Sequence, residues 1–324
     1  MVDIRFPGDA GAVEAVADAL REGKLAVLPT ETVYGLAADA TNPRAVAALY
    51  AAKGRPSFNP LIAHVDSLEM AQTCGIFSDL AAQLANRFWP GPLTLVVLQA
   101  RDCPVAALAT SGLDTIAIRL PSHPVMREVV RALGRPVVAP SANLSGRLTA
   151  TRLEDALADL GETVAIAVDD GACRLGIEST IVACTGGSAK LLRPGALAPE
   201  EIEGVAGRLE TAGSGDALTP QAPGMLSSHY APHARVRLNA LDAGSNDAFV
   251  DFGGYYIQLA GRVKAYADLS PEGDINEAAA CLFETLRRVD AATPSTIAVA
   301  RIPNSGLGIA INDRLRRAAA PRPD

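Results

Sequence analysis

Lysine is scarce in this chain: only four of its 29 cationic residues are Lys. It also holds four histidines, one tryptophan and 4% aromatic residues among 324. No run approaches the ~18 apolar residues of a membrane span, and the N-terminal MVDIRFPGDAG has no apolar signal core. The chain therefore reads as cytoplasmic, with no membrane partner. Its five cysteines, at 74, 103, 173, 184 and 281, form no CxxC pair. That argues against a paired-cysteine zinc module and for reduced thiols. There is no GxxxxGK[ST], HExxH or GxSxG, and GLGIAI (306–311) is half a GxGxxG. The net charge of −7 supplies no broad basic face. Residues 1–205 carry 17 cations against 23 anions, and residues 236–324 carry 10 against 11.

What is present is ordinary for a globular enzyme: 49% apolar and 20% charged residues, enough for two domains. In residues 1–205 the periodicity predicts helices over 10–24, 42–55 and 78–91, the second opened by Pro43 and the third stopped by Pro90 and Gly91. Apolar runs predict strands at LAVLPT (25–30), PLIAHV (60–65), LTLVVLQ, TIAIRLP, PVVAPSAN, VAIAVDDG, STIVACT and AKLLRPG. That is a large mixed sheet with helices on it, an α/β or α+β domain. Residues 206–235 are rich in Gly, Pro, Ser and Thr and read as a linker, long enough to suggest a functional strap. Residues 236–324 read as a small open α/β domain. Its strands are expected at RVRL, AFVDF, YYIQLA and TIAVARI, with helices at 275–291 and near the C-terminus. The tail RLRRAAAPRPD reads as a solvated helix end.

The chemistry-bearing residues fall at strand ends, where sheet proteins bind ligands. PTETVYGLAAD (29–39) follows one strand, and AAKGRPSFNPLIAHV (51–65) packs Lys53, Arg55, Ser57, Asn59 and His64 into one turn region. VVAPSANLSG contributes Ser141, Asn143 and Ser145, while GIESTIV and LLRPGA contribute Ser179 and Arg193. Taken singly, KGRP could be a solvated helix end and SAN an ordinary turn. Arg119 is different: a cation inside an apolar strand needs an anion, either a carboxylate or a phosphate. Together the residues are rich in cations and poor in nucleophiles. That suits phosphoryl or nucleotidyl transfer, in which positioning and charge stabilisation do most of the catalysis.

These motifs, in this order, resemble the YrdC-like threonylcarbamoyl-adenylate synthases: PTETVYGL, KGRPSFNPL, WPGPLT, IAIRLPSHP, APSANLSG, ESTIV and LLRPGA. PGMLSSHYAPHA and the extra domain resemble the long, two-domain form. The resemblance implies a YrdC-like twisted mixed sheet with helices over 1–205, a linker folding over the active site at 206–235, and a small Rossmann-like α/β domain at 236–324. The implied reaction makes threonylcarbamoyl-adenylate and pyrophosphate from L-threonine, bicarbonate or CO2, and ATP. A transferase partner then uses the product to form N6-threonylcarbamoyladenosine (t6A) at tRNA position 37. Carried over by motif, Lys53, Arg55, Ser141 and Asn143 are the catalytic set and hold the ATP phosphates. Asn59, Thr115, Arg193 and Tyr230 also contact the nucleotide, and Thr32, His64, Arg119 and Ser179 enclose threonine, with Arg119 on its carboxylate. Mg2+ is expected to be held mainly by the ATP phosphates, and its protein ligands are not specified.

The stretch LSSHYAPHAR (226–235) holds two of the four histidines. It has no Cys, Asp or Glu to complete a metal site with His229 and His233. An inert connector and a strap delivering Tyr230 to the nucleotide are the other readings, and the resemblance favours the strap. A competing class is a double-stranded RNA- or ribosome-binding module without synthase activity, so RNA stays open as a partner. Carbamoyl transfer from carbamoyl phosphate is a second enzyme alternative, disfavoured by the missing CxxC pairs.

Overall fold

A computed structural model describes residues 1–211 and 229–321. The first part is built on a twelve-stranded mixed sheet. Its strands are β1 (Asp3–Arg5), β2 (Ala26–Leu28), β3 (Gly35–Asp39), β4 (Ile62–His64), β5 (Gly75–Ile76), β6 (Leu93–Gln99), β7 (Thr115–Arg119), β8 (Val137–Val138), β9 (Ile166–Val168), β10 (Thr180–Ala183), β11 (Lys190–Arg193) and β12 (Glu210–Thr211). The order is β1-β9-β2-β3-β8-β4-β7-β6-β10-β11-β12, with β5 alongside β6. Parallel pairs such as β4 with β7 and β6 with β10 alternate with antiparallel ones such as β6 with β7.

Helices α1 (Ala12–Arg21) and α5 (Pro124–Leu133) cover one region, burying Val16, Leu20, Val129 and Val130. The larger core takes Leu49 from α2 (Pro43–Lys53), Ala71 from α3 (Leu68–Cys74), Leu84 from α4 (Asp79–Phe88), Ala156 from α6 (Leu153–Leu160) and Ile202 from α7 (Pro199–Ala206). Helix α2 shows how sequence sets a site residue. The Asn42 side chain accepts from the amides of Arg44 and Ala45, and Pro43 fits the first turn. Gly54, at φ 57°, ends the helix in the left-handed region. Lys53 is thereby fixed as the last helical residue, and the chain turns sharply into Arg55–Leu61.

The second part is a four-stranded, all-parallel sheet in the order β13-β16-β14-β15. Its strands are β13 (Arg235–Arg237), β14 (Ala248–Asp251), β15 (Ala265–Asp268) and β16 (Thr296–Val299). Helix α8 spans Ile275–Ala291, as its apolar spacing predicts, and α9 spans Gly308–Ala319.

Three expectations change. YYIQLA is not a strand: Ile257–Leu259 is a short 3-10 turn, and Tyr255 and Ile257 are exposed. The buried Asp251 carboxylate takes the amide of Tyr256 and closes that loop, and the strand falls later, at β15. The first sheet runs past 205, because β12 pairs with β11. The tail is not simply solvated: Arg316 is exposed, but Arg314 is wholly buried. Much of the expected linker, residues 212–228, lies outside the described residues. Among the described residues no helix is long and apolar enough to cross a membrane.

Candidate active site

Strand alternation places the site. His64 lies two residues after Ile62, Arg119 two after Ala117, and Ser179 two before Ile181, so each pair shares a face. Ile62, Ala117 and Ile181 form a small apolar cluster with Val96. The polar residues sit at the edge of that floor, and His64 is directly in register with Arg119 on the parallel partner strand. A cavity of about 40 Å³ lies there, with Arg55, His64, Arg119, Ser141, Ser179 and Arg193 in its wall, and Glu178, His229 and Tyr230 beside them.

Three arginines line it, and Lys53 is bonded to the Ser141 turn in its wall. Lys53, Arg55, Arg119 and Arg193 expose only 2%, 9%, 4% and 4% of their surface. Burial pushes the Lys53 ammonium well below its usual range, and neighbouring Arg55 adds to the effect. Its Nζ donates to Ser141 O at 2.6 Å and to Asn143 O. Burial likewise lowers Arg55 to about 10. Arg55 donates from Nε to Asn59 O at 3.1 Å and from Nη2 to Pro60 O at 2.9 Å. Arg193, lowered by burial too, donates from Nη2 to Ser179 O at 2.8 Å. His64 falls to about 3 through burial and then the charge of Arg119, which keeps its ring neutral.

The expected anion beside Arg119 is supplied by the chain itself. Arg119 Nη2 donates to Glu31 Oε1 at 2.7 Å, and Nη1 donates to Thr32 Oγ1 at 2.9 Å. Burial works against the Glu31 charge, but Arg119 outweighs it and holds the carboxyl at about 2. Glu31 and Glu178 were not among the sequence candidates, although each adjoins one, in TET and EST. Thr115 is not brought to the cavity. It begins β7 four residues before Arg119, about 13 Å away along the strand. Asn59 is buried behind Arg55, outside the cavity wall.

Among the described residues, five buried polar atoms here have no hydrogen-bond partner: both amide atoms of Asn59, His64 Nδ1, Asn143 Oδ1 and His229 Nδ1. Such orphans cost about 1–3 kcal/mol each, and those of His64 and His229 belong to cavity-lining residues, where a ligand can meet them. The two histidines of the strap part company. His229 is buried over the cavity and kept neutral by that burial, at about 3. His233 is exposed, with Nδ1 at 2.8 Å from Asp290. Tyr230 is buried at φ 62°, a left-handed conformation that costs a bulky side chain energy. Among the described residues no group of three or more His, Cys, Asp or Glu forms a metal cage.

Comparison with known proteins identifies the family. Residues 18–195 match the Sua5/YciO/YrdC family, described as telomere recombination. Residues 197–320 match the threonylcarbamoyl-AMP synthase C-terminal domain. A threonylcarbamoyl-AMP synthase of Pyrococcus abyssi is 37% identical, covering 99% of this chain and 98% of its own. The Bacillus subtilis synthase is 38% identical over 94% of this chain and 91% of its own. The crystal structure of P. abyssi Sua5 complexed with L-threonine superposes with a TM-score of 0.88 at 35% identity, covering 98% and 97% of the two chains. Escherichia coli YciO, at 20% identity and a TM-score of 0.54 over 60% of this chain, shares the fold of the first domain. With both domains matched in order and nearly end to end, the chain belongs to the threonylcarbamoyl-AMP synthase family in its long, two-domain form.

Proposed function

We propose that this chain makes L-threonylcarbamoyl-adenylate and pyrophosphate from L-threonine, bicarbonate or CO2, and ATP, feeding t6A formation at tRNA position 37 by a separate transferase. The observation that carries this reading is a chamber walled by Arg55, Arg119 and Arg193, with Lys53 bonded to its Ser141 turn and the orphan nitrogens of His64 and His229 on lining residues. Arg119 is matched by Glu31; Lys53, Arg55 and Arg193 are buried cations that suit an anion of several charges, and a triphosphate supplies it. Lys53, Arg55 and Arg193 face the phosphates, with Ser141 and Asn143 on the turn that Lys53 holds. Thr32, His64, Arg119 and Ser179 form the threonine half. There, two N–H groups of Arg119 beyond its present bonds would receive the amino acid carboxylate.

In this scheme the threonine amine captures CO2 as a carbamate. A carbamate oxygen then attacks the α-phosphorus of ATP in line with departing pyrophosphate. No covalent enzyme intermediate forms, and the chain contributes orientation and positive charge. In this scheme ATP would enter as its magnesium complex, the ion held by phosphate oxygens. The five cysteines are free thiols, which fits a reducing cytoplasm.

The same reading makes 229–235 the end of a strap. A cavity of about 40 Å³ is far too small for ATP, since nucleotide-sized ligands occupy about 300 Å³ or more. In this reading His229 and Tyr230 withdraw for the nucleotide to enter and return to exclude water from the carbamate and mixed anhydride. The RNA-binding alternative fits poorly: cations this deeply buried cannot reach a duplex backbone.

Pyrophosphate release with and without L-threonine, in the wild type and Lys53→Ala, tests the substrate assignment. Threonine-dependent release abolished by the substitution is expected, and threonine-independent release would overturn it. Truncation near residue 210 tests the strap together with the second domain, and undiminished synthesis would dismiss both.

A further inference from the structure

Helix α9 carries a charge from the second domain to the back of the chamber wall, against the lining residues Glu178 and Tyr230. Arg314 has no exposed surface. Its Nε donates to Glu178 Oε2 at 2.9 Å, and Nη1 donates to Pro194 O at 2.8 Å, next to Arg193. Its guanidinium carbon lies 5.2 Å from the centroid of the Tyr230 ring, within range for a cation–π contact. Phe283 of α8 also packs on that ring, with centroids 5.4 Å apart. Two parts of the second domain thus grip the tyrosine that closes the site.

Glu178 is the reason the arginine matters. It lines the chamber beside Ser179 and Arg193, and its other oxygen accepts from Thr149 Oγ1 at 2.8 Å. A buried carboxylate in a triphosphate site repels the ligand unless a cation cancels it. Among the described residues, the groups facing Glu178 are Arg193 from β11, His229 and Tyr230 from the strap, and Arg314 from α9, with Asp313 at 2.9 Å from Arg314. Arg193 belongs to the phosphate-binding set, and His229 is neutral. The charge on Glu178 is therefore cancelled from the second domain.

We propose that Arg314 is a positioning residue for the nucleotide. It neutralises Glu178, so the charge balance of the triphosphate half of the chamber is complete only with the C-terminal domain docked. This inference rests on the synthase reading and assigns the second domain a role in it.

The pH dependence follows from the sign of the charge. With Arg314 present, Glu178 stays ionised at about 2 although burial opposes it. Without Arg314, burial dominates and the carboxyl titrates at a higher pH. A variant lacking the arginine then binds nucleotide worst at alkaline pH and recovers as Glu178 takes a proton. The ratio to wild type at each pH cancels the nucleotide's own titration.

The test uses full-length wild type, Arg314→Met, Arg314→Lys and the pair Arg314→Met with Glu178→Gln. Binding of a non-hydrolysable ATP analogue is measured by calorimetry between pH 5.5 and 8.5, alongside threonine-dependent pyrophosphate release. Arg314→Met should weaken nucleotide binding about tenfold or more at pH 8.5, with the deficit shrinking at pH 5.5. Arg314→Lys and the double variant should bind within about threefold of wild type, since neither leaves a bare carboxylate. A folded Arg314→Met with wild-type affinity would overturn the proposal, as would a folded double variant that binds no better than Arg314→Met. Should Arg314→Met not fold, the double variant, which buries no unpaired charge, decides: wild-type affinity supports the role and lost affinity overturns it. Absent threonine-dependent release by the wild type is a failure of the synthase reading, distinguishable because the binding comparison needs no turnover.

Discussion

Arg119 and Glu31 bury opposite charges 2.7 Å apart beneath the chamber, so removing either strands the other. Arg119→Met should cost about 3–5 kcal/mol of stability near pH 8. The cost should be smaller near pH 5, because Glu31, held at about 2 chiefly by its partner, then titrates at a higher pH and takes a proton more readily. Urea midpoints at the two pH values measure this, and an equal loss at both would refute it. The buried histidines make a second prediction. His64 and His229 sit at about 3 in the folded state against an ordinary 6.5, both chiefly through burial. The unfolded chain therefore binds more protons than the folded one between those values, so stability is complete above 6.5 and falls as pH drops towards 3. Unfolding of His64→Asn and His229→Asn should lose part of that acid dependence. The four cations of the site were legible in sequence because each stands among apolar residues or in a tight polar turn. Glu31, Glu178 and Arg314 were not: their partners lie 88 and 136 residues away, and pairing at that distance leaves no local signal.

At the scale of elements, glycine marks where the domains touch. Gly176 has φ +66°, and a Cβ built on it would run into the backbone of Ala280 in α8. Gly176→Ala therefore both strains the backbone and wedges α8 away from the loop that carries Glu178 and Ser179. It should lower the melting temperature and raise the KM for ATP together. Gly171→Ala, also at positive φ but with open space around it, should affect stability alone. Equal effects of the two on KM would refute the steric argument. The same loop shows how far local patterns reach. The spacing of apolar residues located α8 because that helix buries one stripe against a sheet. Caps located α2 because Asn42 and Gly54 act within a turn of the residues they end. YYIQLA failed as a strand because its apolar residues alternate without a sheet edge to receive them; the loop is shaped instead by Asp251, Gly253 and Gly254. Helix α5 passed unnoticed inside a stretch read for its strands, although its Pro124 start and Gly134 stop are ordinary helix signals.

For the whole molecule, the question is whether two domains mean two folding units. Composition places the boundary in the Gly- and Pro-rich segment, and the sheets do separate there. The cores do not. Leu148, Ile177 and Ala196 from the first part are buried in the same cluster as Phe283, Leu286, Ile311 and Leu315 from the second, with Tyr230 of the strap among them. Arg287 crosses as well, donating to Leu148 O and pairing with Asp155 and Asp159 of α6. Undocking would expose that shared apolar surface and leave Glu178 without Arg314. Calorimetry of the full chain should therefore give one cooperative transition, with calorimetric and van't Hoff enthalpies equal within error. Arg314→Met or Gly176→Ala should pull it towards two, since each weakens the junction and leaves the outer sheets intact. On the synthase reading ATP would occupy the junction, so it should raise the single melting temperature of the wild type and draw the split transitions of either variant back together. Two resolved transitions in the wild type, or a nucleotide-induced shift confined to one of them, would mean that the second domain is a passenger rather than part of the catalytic wall.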